Sequence, residues 1–466
     1  MQIPIINGIY TNESSDIRMQ YPRNLMPIAQ PNGINNGYLR PADGIQNFTN
    51  TGGTDRGGIN WNGTLYRVIN EYLTSISNTG AITNIGIVGG SEQVSFAYSF
   101  DRLAVASNNN LFYWDGTTFQ QVTDPDLGTV LDVVWVDGYF MTTDGEFLVI
   151  TDIDNPLSVN PLKYGSSEVD PDPIESLIKL RNEIYALNRY TIEVFDNIGG
   201  TGFPFRRIDN AQMTKGTLGT HCNCRFDEVL AFLGSGQKEA PAIYLGVAGN
   251  VTKISTREID QILMMYDEAT LSATLMESRI SEDQKLLYLH LPDVTLVYDE
   301  NASKKINQSV WFELTSGIEH RGQYLAKNMV WVYDKWIVGH PTEEKIGYLT
   351  SNVSTHWGME ITWEINTPII YNESNGAIVH SLELVALTGR VDLADNPYIN
   401  TQYSEDGETW SQEKTIKAGL TGNRERRLVW RKQGILKNYR IQKLTGTSKA
   451  HLSPIRLEAE LEPLAW

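Results

Sequence analysis

Cys222 and Cys224 are the only two cysteines in the 466 residues of this chain. A single residue separates them, a spacing that rarely meets disulfide geometry. Two reduced thiols on a strand are expected, made in a reducing compartment. No apolar run comes near the roughly 18 residues of a membrane-spanning helix. The opening "MQIPIINGIYTNESSD" lacks the basic start and long apolar core of a secretory signal. The chain is therefore expected to stay in the cell that makes it or to leave by lysis. Basic charge is also scarce, with 38 Lys and Arg against 56 Asp and Glu and a net charge of −18. That excludes a grip on nucleic acid through bulk positive charge. It is compatible with an acidic wall beside nucleic acid, since repulsion prevents sticking.

Recognisable chemistry is missing too. No GxSxG, P-loop, HExxH or GxGxxG pattern occurs. His221-Cys222-Asn223-Cys224 offers three potential metal ligands, but zinc takes about four, usually as two separated pairs, and no second pair follows. A buried strand is the expected reading. "TDPDLG" (123–128), "TDIDNP" (151–156) and "VDPDPI" (169–174) lack the carboxylate order of a calcium loop and read as loop starts. "SEDGETW" (404–410) resembles the structural Asp-box hairpin of sialidases, one residue short between Asp406 and Gly407. No catalytic residue, metal site or cofactor is expected. A pair of carboxylates for glycoside cleavage, brought together from distant loops, would leave no sequence mark.

Turns and aromatic residues are plentiful, with 39 Gly, 18 Pro, 22 Tyr and 11 Trp, a β-protein profile. "NLFYWDGTTFQQVTD" (110–124) shows the unit: apolar-aromatic strand, Asp115-Gly116 turn, strand. Similar units start with "GINWNGTLYRV", "RLAVAS", "LDVVWVDGYF", "LIKLRNEIYAL", "DEVLAFLGSG", "KLLYLHLPD" and "NMVWVYDKWIVG", roughly 40–50 residues apart. Asn62-Gly63, Asp137-Gly138 and Asp144-Gly145 suit two-residue hairpins in which both residues take positive φ. This pattern predicts a mainly β chain with about six propeller blades; a large β-sandwich or two Greek-key domains fit it less well. "STREIDQILMMYDEATLSATL" predicts one helix, starting at Ser255 or Thr256, with Ile259, Ile262, Leu263 and Tyr266 on one face.

Residues 360–466 alternate apolar and polar over longer strands, which predicts a separate β-sandwich. The first 45 residues are irregular yet carry Ile, Tyr, Leu and Met, as expected of a segment lying extended over another domain. The expected division is an N-terminal segment 1–50 packing on the sandwich platform, a propeller 51–355 and the sandwich 356–466. One basic stretch stands out, "RERRLVWRK". Arg424, Arg426, Arg427, Arg431 and Lys432, less Glu425, leave a local excess of four positive charges. They are the candidate contact to an acidic neighbour, either another copy or nucleic acid passing nearby. The plain alternative is a solvated face with Arg427, Val429 and Arg431 outward and Leu428 and Trp430 inward.

Taken in order, these segments resemble the tail hub, or nozzle, proteins of short-tailed bacteriophages, also called packaged-DNA stabilisation proteins. The resemblance rests on "YPRNLMPIAQPNGINNGYLRPADGI" (21–45), "SSEVDPDPI" (166–174), "RYTIEVFDNIG" (189–199), "KGTLGTHCNCRFDEVLAFL" (215–233), "LHLPDVTLVYD" (289–299) and "RRLVWRKQGILKNYRIQKLTG" (426–446). Ala42-Asp43-Gly44 stands where the family usually has a Pro-Gly pair. The resemblance implies a structural virion protein made in the host cytoplasm: a ring of six copies below the portal and adaptor ring. Its axial channel would retain and then pass the packaged DNA. Tailspikes or tail fibres would dock outside, and a needle or plug below. No membrane is implied as a partner. The competing readings are a propeller glycan hydrolase with a carbohydrate-binding sandwich, and a soluble scaffold of a cellular complex.

Overall fold

The computed structural model describes residues 2–3, 5, 22–29, 37–281, 284–319, 322–371, 376–391, 393, 395–407 and 409–464. Stretches 6–21 and 30–36 of the N-terminal segment, and Glu408 of "SEDGETW", lie outside the described residues.

Residues 44–350 build seven antiparallel sheets among the described residues, each of four or five strands. Six are consecutive in the chain: 55–87, 95–121, 132–166, 174–207, 216–253 and 275–314. The seventh joins 327–350 to an outer strand from the other end of the chain, Gly44–Asn50. Their middle strands, such as Leu103–Ser107 and Val229–Ser235, are buried almost throughout. Both faces of a blade are covered by its neighbours, so the strands read as apolar runs rather than as alternation.

The core lies in the seams between blades. Val68 and Leu73 of the first blade pack on Leu103 and Val105 of the second, and Ala104 and Tyr113 on Val133 and Phe140 of the third. The pattern continues through successive clusters. It closes where Leu65, Ile69 and Ile76 of the first blade meet Val330, Val332, Ile337 and Ile346 of the seventh. Each such side chain contributes about 1.5–3 kcal/mol on leaving water, so stability is spread around a closed ring of seams.

The count is seven rather than about six. The blades start between 37 and 59 residues apart, too uneven for spacing alone to fix their number, and the last blade takes a strand from ahead of the repeating region. For the same reason residues 44–50 belong with the propeller and not with the segment on the platform: a closed ring of sheets needs its final blade completed from the other terminus.

The turns divide into two kinds. Asn62-Gly63 and Asp137-Gly138 have positive φ at both residues, as expected. At Asp115-Gly116 and Asp144-Gly145 only the glycine does. There the aspartate stays in a common conformation and its carboxylate accepts backbone N–H groups, from Thr117 and Thr118 and from Glu146 and Phe147. The expected helix is two short ones, Arg257–Leu263 and Glu268–Ser272. Asp267 interrupts it by capping the second, accepting from the Thr270 N–H. Thr256 occupies the N-cap position of the first without a side-chain capping bond, and Ile259, Ile262 and Leu263 are buried. Another helix, Glu300–Ile306, was not expected.

Residues 362–463 form two facing sheets. In one, Ala377–Leu387 pairs with Leu428–Arg431 on one side and with Ser453–Pro463 on the other. In the second, Tyr439–Thr447 pairs with Thr362–Asn366 and Tyr398–Ser404. Their shared core includes Leu382, Leu428, Trp430, Leu444 and Leu457, and also Ile3, Ile5, Leu25 and Leu39 from the N-terminal segment. Gln2–Ile3 adds an edge strand to Ser453–Pro463.

Candidate functional site: a crossed shaft, a clasp and a basic edge

One strand of each blade faces the propeller axis, the first in six blades and Asn223–Phe226 in the fifth. Together these strands line a cavity of about 1000 Å³ whose walls include Gly57, Ser95, Asp132, Lys179, Asn223, Glu277 and Asn328. Its polar groups are occupied. Asp132 accepts from the Ser176 hydroxyl (2.7 Å) and the Leu177 N–H (2.9 Å). Glu277 bonds His290 (3.0 Å) and the Met329 N–H (2.9 Å). Burial lowers the pKa of Lys179, which sits over the Trp135 ring. Burial lowers the pKa of His221, from the fifth blade, with Asp132 of the third acting against this. Gln93, which precedes the second blade, donates to Asn328 of the seventh. Side chains from separate blades thus meet inside the shaft.

A run of strained or isolated polar residues holds the propeller to the platform. Residues 22–29 run between blade six and the sandwich. Arg23 exchanges backbone hydrogen bonds with Glu364 of the sandwich, and the flanking Pro22 and Asn24 bond Glu313 of blade six. The buried Arg23 guanidinium lies 3.5 Å from the Glu313 carboxylate and 3.6 Å from that of Glu364. Asn24 donates to the Thr362 carbonyl (2.8 Å) and accepts from the Thr315 N–H (3.0 Å). Because successive strand residues point to opposite faces, Leu25 enters the sandwich core and Met26 the propeller core. Asp43, at the departure from the family's usual pair, receives the buried Arg279 of blade six.

Arg67 seals the closing seam of the ring. It pairs with Asp55 (2.8 Å) and donates to the Asn328 and Ile337 carbonyls of blade seven. None of these arginines was singled out from the sequence, where Arg23 and Arg67 stand apart from any charge cluster.

The residues that were singled out lie on the surface. Leu428 and Trp430 are buried while Arg427 and Arg431 point outward from the edge strand Leu428–Arg431. Arg427 forms a forked pair with Glu383 (2.8 and 2.5 Å); that hydrogen bond and its charge hold the Glu383 carboxyl below its ordinary pKa. Arg424, Arg426 and Lys432 are exposed. The structure therefore brings the five side chains to one edge without joining them in a pocket.

The remaining candidates are structural. Cys222 and Cys224 are free. Burial pushes the Cys222 thiol up to about 11 and the Cys224 thiol higher still. Among the described residues no three His, Cys, Asp or Glu side chains converge on a metal-sized point. Asp124 and Asp172 of the acidic loops accept backbone N–H groups instead. Asp406 likewise holds its turn through the Thr409 N–H, and Lys443 covers Trp410. No helix of the described residues is long and apolar enough to cross a membrane.

A family model for the bacteriophage P22 Gp10 β-propeller matches residues 1–354, and one for the P22 Gp10 β-sandwich matches 362–462. The chain belongs to the bacteriophage P22 Gp10 family. Within that family it is 26% identical over 469 aligned positions to the tail hub protein gp10 of Salmonella phage P22, covering 96% of this chain and 95% of that one. Solved structures are more distant. The Neurospora crassa Pan2 WD40 domain has 9% identity and a TM-score of 0.42, covering 67% of this chain and 96% of that one. The N-terminal domain of Nup159 has 10% identity and a TM-score of 0.41, covering 66% and 95%. The P22 Gp10 assignment rests on the two family models, which together span both domains.

Proposed function

We propose that this chain is a structural tail hub of a short-tailed bacteriophage virion and performs no catalysis. In this reading, copies of it, six by the family resemblance, form a ring below the portal and adaptor ring. The ring retains packaged DNA, passes it at ejection and docks tailspikes or fibres, with a needle or plug below. Residues 1–50, 51–355 and 356–466 act as segment, propeller and platform, except that 44–50 serve the propeller. Family membership across both domains carries the reading.

Two physical features support it. Several copies at −18 each make an acidic annulus along which DNA slides rather than sticks. In this reading the conduit runs between copies rather than through one propeller, whose central cavity is lined by side chains of every blade. The test is a phage lacking this chain. Its particles are expected to package DNA, lose it on standing, and regain infectivity when purified chain is added. Particles that keep their DNA and infect without it contradict the proposal.

A further inference from the structure

The outer face of the second sandwich sheet holds a cleft of about 460 Å³. It lies over the end of the central strand Tyr439–Thr447, which is paired at Thr447 with Thr362 and at Thr445 with Asn400. Trp363, Ile399 and Leu444 point into the sandwich core. By alternation Tyr398, Asn400, Thr445 and Thr447 face outward, and all four line the cleft. Both sides of Tyr439–Thr447 are already paired, so a partner strand has no free edge to join there. What the cleft offers is side chains.

Those side chains are unused within the chain. The Asn400 carboxamide makes no hydrogen bond among the described residues, and its Oδ1 is buried without a donor. A buried acceptor left so costs about 1–3 kcal/mol, and an amide with no partner to lose is free to turn toward a donor in the cleft. The hydroxyls of Thr445 and Thr447 and the carboxylate of Asp395, which also lines the cleft, form no hydrogen bond among the described residues either. Tyr398 is 56% exposed. Lys417 approaches its ring from one side, 5.8 Å from the centre, and ring surface remains open to a ligand. Lys449 is the only cation lining the cleft among the described residues, and it meets Glu360 (3.6 Å).

We propose that this cleft binds a neutral oligosaccharide, with Asn400, Thr445, Thr447 and Asp395 bonding sugar hydroxyls and Tyr398 stacking on the apolar face of a sugar ring. Neighbouring hydroxyls on one ring both donate and accept, which matches an amide and two hydroxyls that do the same beside a carboxylate that only accepts. The C–H face of the ring meets the aromatic body of Tyr398 as other apolar surface does, while polar groups surround it. The volume lies within the range of small-ligand clefts. A phosphate or an acidic sugar is the weaker fit, since Asp395 and Glu360 outnumber Lys449 here and the chain carries −18 overall. A hard cation fits less well still, because no three His, Cys, Asp or Glu side chains converge among the described residues. The inference does not depend on the hub reading.

The experiment is saturation-transfer NMR on the purified full chain. The probes are neutral oligosaccharides of glucose, galactose, mannose and N-acetylglucosamine, with a galacturonate oligomer as the acidic control. At least one neutral probe is expected to bind with a Kd of about 1 mM or tighter, and the galacturonate at least about tenfold more weakly. Asn400→Ala and Tyr398→Ala are each expected to weaken binding at least about tenfold. Asn400 has no hydrogen bond to lose and Tyr398 is exposed, so both variants are expected to melt at the wild-type temperature, which calorimetry checks. A panel in which no neutral probe binds overturns the inference. So does binding that survives both substitutions, or that favours the galacturonate. Self-association that both substitutions abolish, with no sugar bound, overturns it too and gives the cleft to a second copy. None of these results bears on the hub reading, which fails only in the phage test above.

Discussion

The arginines of the clasp and those of the sandwich edge are the same side chain put to opposite uses. Arg23 and Arg67 are buried and isolated in the sequence, and each ties together elements far apart in the chain. Arg424 and Arg431 are clustered in the sequence and exposed, and their side chains tie nothing together among the described residues, while their neighbour Arg426 reaches only the Lys417 carbonyl. A buried guanidinium has to be met by carboxylates and carbonyls from several elements, so its position is set by the fold. An exposed one keeps its hydration, and its energetic worth waits for a partner.

The comparison breaks first at the clasp. Arg23→Ala leaves Glu313 and Glu364 buried without their guanidinium. It is expected to cost about 3–5 kcal/mol and, in calorimetry, to split one unfolding transition into separate propeller and sandwich transitions. A loss under about 1 kcal/mol would make Arg23 equivalent to a surface arginine.

A second test lies beside the clasp, at His356. Its Nδ1 meets the Ser316 hydroxyl (2.7 Å), and burial lowers its pKa from 6.5 to about 3. Between those values the unfolded chain binds the proton and the folded chain does not. The stability contribution is therefore complete above pH 6.5 and is lost as pH falls toward 3. The expected slope is about 1.4 kcal/mol per pH unit. Denaturant melts between pH 6.5 and 4.5 should show it, and His356→Gln should flatten it.

R431E/K432E sharpens the other side of the comparison. It is expected to leave the monomer's stability within about 0.5 kcal/mol of wild type in the same melts. The smallest effect is expected at the thiols. Buried and protonated, Cys222 should resist alkylation at pH 8 and react only on unfolding; fast reaction of Cys222 in the folded chain, read in a Cys224→Ser background, would place it at the surface.

Much of the fold was legible because blades and sandwich strands announce themselves through apolar runs and turn residues. Asn62-Gly63 and Asp137-Gly138 gave turn and register together. The blade count was less so, because Gly44–Asn50 finds its partner some 300 residues away, at Lys345–Thr350, and no local pattern encodes such a pairing. The helix boundary at Asp267 was missed because the aspartate sits inside a helical period and acts as a cap only once the chain turns there. The charged edge was visible as a cluster, and Leu428 and Trp430 gave its orientation by alternation. The clasp was not visible. Arg23, Glu313 and Glu364 are single charges whose meaning appears only when three distant segments converge, and only the quoted "YPRN" hinted that the first of them mattered.

The most direct test is an electron-microscopic reconstruction of the phage tail at side-chain resolution. The account predicts copies of this chain ringed around the DNA axis below the portal. Each would keep propeller and sandwich locked through Arg23, acidic surfaces would line the opening, and DNA density would run between copies. A single copy off the axis, or DNA threading one propeller's shaft, would contradict it.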